Sequence, residues 1–164
     1  MAEVRVTGLS ELQGFLETLP TKIQNNVMRG ALRAGMNVVK DSAVQGAAHA
    51  TGIMREGIKV TTRNRAGVVS ASVKAKGKHA PLAHLVEYGT AAHRISAKDG
   101  SALSFGGGAV QHVDHPGQRA RPFMRPALDA QGGNAVVAAA EYMRTRLANQ
   151  YGLDTADILI EGDE

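Results

Sequence analysis

With 164 residues the chain has room for one domain with its own core and too few to divide into two. Hydrophobic residues make up 43% but aromatics only 4%, so the core rests on many small contacts, and the lack of cysteine excludes disulfides, thiolate catalysis and Cys-ligated zinc. The formal charge of +4 is split: five of the 15 acidic residues (Asp154, Asp157, Glu161, Asp163, Glu164) are the only charges after Arg146, leaving 10 acidic against 19 basic residues, or +9, in the body.

The N-terminal Met1-Ala2-Glu3-Val4-Arg5 lacks the basic region and apolar run of a signal peptide. No stretch approaches the roughly 18 apolar residues of a membrane span, which predicts a soluble protein made in the cytoplasm. Glu3-Val4-Arg5-Val6-Thr7 alternates polar and apolar residues and predicts a short strand, broken by Gly8. Leu9, Leu12, Leu16 and Leu19 then fall at helical spacing, with Ser10-x-x-Gln13 placed as a capping box and Pro20 ending the helix.

A second capping pattern, Thr21-x-x-Gln24, opens a helix predicted to run to about His49. Its apolar stripe is Ile23, Val27, Ala31, Ala34 and Val38; Arg29, Arg33 and Lys40 lie on the opposite side. Gly30, Gly35 and Gly46 each cost about 1 kcal/mol relative to Ala inside a helix. Either another backbone approaches closely and offsets that cost, or the helix frays after Lys40.

Runs at 57–62 and 68–73, joined by Asn64-Arg65-Ala66-Gly67, predict a β-hairpin. Pro81 opens a short helix through Glu87, ended by Gly89. Between 91 and 113, His93-Arg94-Ile95 and Ala102-Leu103-Ser104-Phe105 predict a second hairpin turning at Asp99-Gly100, with Gly106-Gly107-Gly108 as a flexible tip or strand break. Pro122 and Pro126 start a last helix with Val136, Ala140, Met143 and Leu147 on one face and Gly132-Gly133 as an interruption. The acidic segment from Tyr151 is expected to be mobile unless Ile158-Leu159-Ile160 docks on a partner.

Catalytic chemistry finds little support. His112-x-Asp114-His115 has metal-ligand residue types but no established zinc spacing, and reads better as a turn before Pro116-Gly117 with locally bonded His side chains. Gly106-x-Gly108 lacks the third glycine and the Gly-Lys-Ser/Thr of phosphate loops, and no Gly-x-Ser-x-Gly elbow is present. Lys74, Lys76 and Lys78, and Arg119, Arg121 and Arg125, form basic runs that suit phosphate contact, but stacking aromatics are scarce and no recognition motif accompanies them. The basic body is either a solubilising surface or one that lies near nucleic acid or an acidic protein.

In order along the chain, Val6-x-Gly8-Leu9-x-Glu11-Leu12, an Ala- and Arg-rich helix, Thr51-Gly52-x-x-Arg55-x-x-Ile58, His84-x-Val86-Glu87-Tyr88-Gly89-Thr90 and Arg121-Pro122-Phe123-Met124-Arg125-Pro126-Ala127-Leu128 resemble a known phage family. It is the tail-completion or head–tail joining family of long-tailed phages, named after the tenth gene product of the Hong Kong phage, and the resemblance spans about residues 4–148. Compact members run almost directly from the Gly-Thr to the Arg-Pro-Phe motif, so residues 91–118 read as an insertion.

The resemblance implies an α+β fold: a small antiparallel sheet of hairpins packed against a long N-terminal-half helix and a C-terminal helix, in a ring-forming subunit. It implies a single domain at 1–149 and an acidic tail at 150–164, a virion protein of the neck assembled in the bacterial host cytoplasm, and no catalysis, cofactor, metal or membrane. Its partners would be copies of itself, most simply in a hexamer, the head connector or adaptor, the tail tube or tail terminator, and DNA in the lumen. Glu87, Tyr88, Gly89 and Thr90, then Arg121, Pro122, Phe123, Arg125 and Pro126, carry over as structural or interface candidates. Phe123 either enters its own core at a helix start or makes an intersubunit contact; Gly89 is expected at positive φ with Tyr88 partly buried. The rival readings are a non-specific nucleic-acid-binding protein and a small toxin–antitoxin or regulatory partner.

Overall fold

The computed structural model describes residues 5–47, 53–78, 80–98, 101–154, 158 and 160–161. In chain order these form β1 (Arg5–Val6), α1 (Leu9–Thr18), α2 (Thr21–Gly46), α3 (Ile53–Glu56), β2 (Ile58–Arg65), β3 (Val68–Ala75), α4 (Ala80–Tyr88), β4 (His93–Ser96), β5 (Leu103–Phe105), β6 (Gly108–Val110), β7 (His112–His115), α5 (Met124–Tyr151) and β8 (Ile160–Glu161). The class is α+β, with small antiparallel sheets and long helices in the N-terminal half and at the C-terminal end, as the sequence implies.

The frame is a pair of long antiparallel helices, α2 with 26 residues and α5 with 28, each about 40 Å at 1.5 Å per residue. Two apolar clusters sit at opposite ends of the pair. Val39 and Ala43 of α2 meet Ala127 and Ala135 of α5, together with Ile58, Ala83 and Phe123. At the other end Val27 and Leu147 meet Leu12 of α1 and Ile158. The buried row on α2 is Val27, Ala31, Gly35, Val39 and Ala43, a strict four-residue step, where the sequence stripe placed Ala34 and Val38. That step follows the i±4 ridge that helices use when they cross at an angle.

The glycines mark where the two helices touch. A methyl at Gly35 would collide with the Ala135 carbonyl of α5, one at Gly30 with the Tyr142 ring, and one at Gly46 would rest 3.5 Å from Phe123 Cβ. The close backbone neighbour expected for α2 therefore comes from the same chain. α2 is continuous through Gly46, so the alternative of fraying after Lys40 is corrected; its predicted end near His49 falls outside the described residues.

Other expectations are corrected too. Neither capping box forms: α1 is capped by Gly8 and α2 by Pro20, without a side-chain cap bond, while Gln24 Nε2 donates to Leu19 O at 2.8 Å. Gly132-Gly133 does not interrupt α5, and Val136 is 53% exposed because Ala135 takes the inward position. The acidic segment after α5 finds a seat on its own chain: Ile158 is 1% exposed beside Leu12 and Val27, and β8 pairs antiparallel with β1.

The predicted hairpin β2–β3 forms, with eight residue pairs from Ile58↔Ala75 to Arg65↔Val68; its turn is tighter than expected, because Asn64 and Arg65 pair in the strand and only Ala66-Gly67 connect. Its Ile58, Val73 and Ala75 side pack on the first cluster. The second hairpin is differently paired. β4 pairs with β7 and β5 with β6, not β4 with β5, so the arm turns at Gly106-Gly107; the expected turn at Asp99-Gly100 lies outside the described residues. Gly106 and Gly107 have φ of 60° and 83°, the conformation a two-residue hairpin turn requires and glycine adopts without strain. Thr90 and Gln118 close the base of the arm with reciprocal backbone bonds of 2.9 and 3.0 Å.

Candidate functional site

The sequence motifs at 87–90 and 121–126 lie against each other. Helix α4 brings Glu87 to the start of α5, where the backbone N–H groups of the first turn have no intrahelical acceptor. Glu87 Oε2 accepts from the N–H of Phe123 at 2.7 Å and of Met124 at 2.9 Å, and Oε1 accepts from Arg125 at 3.1 Å. The carboxylate thus caps a helix 36 residues away in sequence and sits at the positive end of its dipole. Glu87 is only 8% exposed, the one charged residue buried among those described. Burial pushes its pKa up, but the N–H bonds from Met124, Phe123 and Arg125 together outweigh that and hold it below the ordinary 4.5.

Arg121 N–H donates to Val86 O at 2.8 Å, adding a second tie between the motifs. Gly89 has φ 74° and ends α4, and any side chain there would strike Gln118 O and Ala120 N. Phe123 is buried in its own protomer's core beside Gly46, the first of its two sequence readings. Tyr88 departs from expectation: it is 72% exposed, with its ring 4.8 Å from that of His84. Arg121, Pro122, Arg125 and Pro126 are exposed as well, and Thr90 is half-buried in the bridge to Gln118.

Beside this junction lies a cleft of about 720 Å³ between α4, β3, α2 and the start of α5, lined among others by Met36, Ala83, Tyr88, Met124 and Leu128. Tyr88 on α4 and Leu128 on α5 leave large apolar surface exposed at the cleft, and Leu82 and Leu85 are exposed elsewhere on α4. The one carboxylate lining the cleft, Glu87, is committed to the helix cap.

Arg55, which lies in the third sequence motif and was not singled out as a site, mirrors Glu87. Its Nε and Nη2 donate to Ala47 O at 2.9 and 2.7 Å, and Nη2 reaches Gln45 O at 3.1 Å, capping the C-terminal end of α2. A cation at that end and an anion at the start of α5 each complement the local helix dipole. The Thr51-Gly52-x-x-Arg55-x-x-Ile58 spacing was the available signal, with Ile58 buried in the core; Thr51 and Gly52 lie outside the described residues.

His112 and His115 lie on β7. His115 Nδ1 accepts from Gly117 N–H at 3.0 Å, the His93 and His115 rings are 5.1 Å apart, and Asp114 pairs with Arg94 at 2.8 Å. No metal-holding group is found among the described residues, and no helix among them is long and apolar enough to cross a membrane.

Compared with known proteins, residues 10–89 match the family model described as "Bacteriophage HK97-gp10, putative tail-component". The match takes in α1 through α4 and reaches Glu87, Tyr88 and Gly89, and stops short of the Arg121 motif. No curated protein and no solved structure matches the chain.

Proposed function

We propose that the chain, whose residues 10–89 match the HK97-gp10-like family model of phage tail components, has a structural role in the virion as a tail-completion or head–tail joining subunit. Copies form a ring, a hexamer in this reading, between the head connector or adaptor and the tail tube or tail terminator. Residues 1–149 act as one domain with 91–118 as an inserted arm, and the acidic segment 150–164 is attached to it through Ile158 and β8.

One observation supports this reading beyond the family match. Glu87 locks the two motifs into a rigid support from which Tyr88 projects at 72% exposure, next to the apolar cleft and Leu128. Aromatic anchors on rigid backbone beside an apolar depression are what protein interfaces are built from. Tyr88, Arg121, Pro122, Arg125 and Pro126 are the interface residues in this proposal; Glu87, Gly89, Thr90 and Phe123 hold them in place.

Analytical ultracentrifugation with negative-stain imaging is expected to show a closed ring built from 17.2 kDa protomers. Tyr88→Ala should weaken ring formation by roughly tenfold or more while leaving the thermal midpoint of the protomer unchanged. A protein that stays monomeric at every concentration and fails to join tails in an assembly assay rules the proposal out.

A further inference from the structure

The β2–β3 register sorts the hairpin into two unlike faces. One carries Ile58, Val60, Val73 and Ala75 toward the core. The other carries Lys59, Arg63 and Arg65 on β2 and Lys74 on β3, and the ladder continues one step, through the bond from Lys76 N–H to Gly57 O at 2.8 Å, to add Lys76. All five cations are exposed, none pairs with a carboxylate among the described residues, and no acidic side chain occupies this face of either strand. Lys59 and Lys74 stand directly opposite each other, an arrangement that destabilises a sheet unless an anion lies between or above them. Ser70 and Ser72 lie between the cations on β3, Val68 stands exposed opposite Arg65, and the Thr61 hydroxyl between Lys59 and Arg63 is buried.

We infer that this face of the β2–β3 hairpin is a binding site for duplex DNA, gripped through its phosphates without regard to sequence. From Lys59 to Arg65 the ribbon extends about 20 Å, over which a duplex presents on the order of a dozen phosphate charges. A line of cations with the Ser70 and Ser72 hydroxyls among them matches that line of anions, since phosphates take bonds from Lys, Arg and Ser alike. Protein interfaces, by contrast, deplete lysine at their centre and enrich aromatics, and this face has neither feature. The absence of aromatic rings also removes the stacking that single strands require, which selects duplex over single-stranded DNA. The site stands whether or not the protein forms a ring.

The test is fluorescence anisotropy of the purified protein with a short mixed-sequence duplex over a salt series. The wild type is expected to bind with a logarithmic salt slope of about −4 to −5, from roughly 0.9 per neutralised phosphate and five cations. Arg63→Gln/Lys74→Gln should reduce the slope by about 2 and weaken binding at least roughly tenfold at low salt. Lys59→Gln/Lys76→Gln should do the same, so a folding defect in one pair does not decide the outcome. Arg29→Gln/Arg33→Gln, which removes two exposed charges from α2, should leave the slope within about half a unit of wild type. Equal losses in the α2 and hairpin variants, or no binding at low salt, overturn the inference. So does polyglutamate competing as well as DNA does, which would assign the face to an acidic protein instead.

Discussion

Glu87 caps α5 from a different helix, so its removal does more than delete one contact. Three N–H groups at the start of α5 lose their acceptor inside a nearly closed site, at a cost of about 1–3 kcal/mol for a buried partner left unsatisfied. Glu87→Ala should therefore destabilise the protein by about 2–4 kcal/mol in urea denaturation, and Glu87→Gln, which keeps the acceptor oxygen but loses the charge, by about half of that. The dependence on pH has a definite sign. A folded pKa below 4.5 means the unfolded chain takes up the proton first on acidification. The contribution of Glu87 is thus whole above about pH 4.5 and declines as pH falls from there toward the folded pKa. Wild-type urea midpoints should fall more steeply than those of Glu87→Gln between roughly pH 5 and 3; parallel curves would show that the carboxylate is not the titrating cap.

Among the elements, the helix glycines divide by what surrounds them. Gly35 faces the Ala135 carbonyl, a backbone atom that cannot step aside, whereas Gly132 has open space around it. Gly35→Ala is expected to cost about 1–3 kcal/mol by forcing α2 and α5 apart, and Gly132→Ala to stabilise by up to about 1 kcal/mol through helix propensity, both read from thermal unfolding. The inserted arm is a second case. Because Thr90 and Gln118 already meet as an antiparallel pair, replacing residues 91–117 with Asn-Gly should leave the two apolar clusters intact. The shortened chain is expected to unfold cooperatively with a midpoint within a few degrees of wild type, whereas loss of cooperative unfolding would mean that the arm supports the core.

What could be read in advance depended on whether the signal was local. Two β-rich runs flanking Asn64-Arg65-Ala66-Gly67 were enough to find the β2–β3 hairpin, but not its register, in which Asn64 and Arg65 belong to the strand and only Ala66-Gly67 turn. The arm was misaligned because Asp99-Gly100 and Gly106-Gly107 carry equivalent turn chemistry, and only the two separate ladders, His93–Ser96 with His112–His115 and Leu103–Phe105 with Gly108–Val110, choose between the pairings. The stripe of α2 drifted from the predicted Ala34 and Val38 to Gly35 and Val39, since the angle at which α5 crosses it is not written in α2 itself. The motifs at 87–90 and 121–126 were visible as residues, but the bond joining them spans 36 positions and no periodicity encodes it.

At the scale of the whole molecule, small residues on a long helix suggested a protein in search of a neighbour, and that neighbour proved to be its own α5. The surface left for other molecules is elsewhere, at Tyr88 and its cleft on one side and at the cationic hairpin on another. The same cap that fixes Tyr88 has a consequence for motion. The amide protons of Phe123, Met124 and Arg125 are held by a carboxylate on α4, so they exchange with solvent deuterium only when α4 lifts from α5 or the chain unfolds. Those three amides are therefore a built-in gauge of how firmly α4 is seated: whatever clamps Tyr88 from outside slows their exchange, and whatever pries the helix away quickens it.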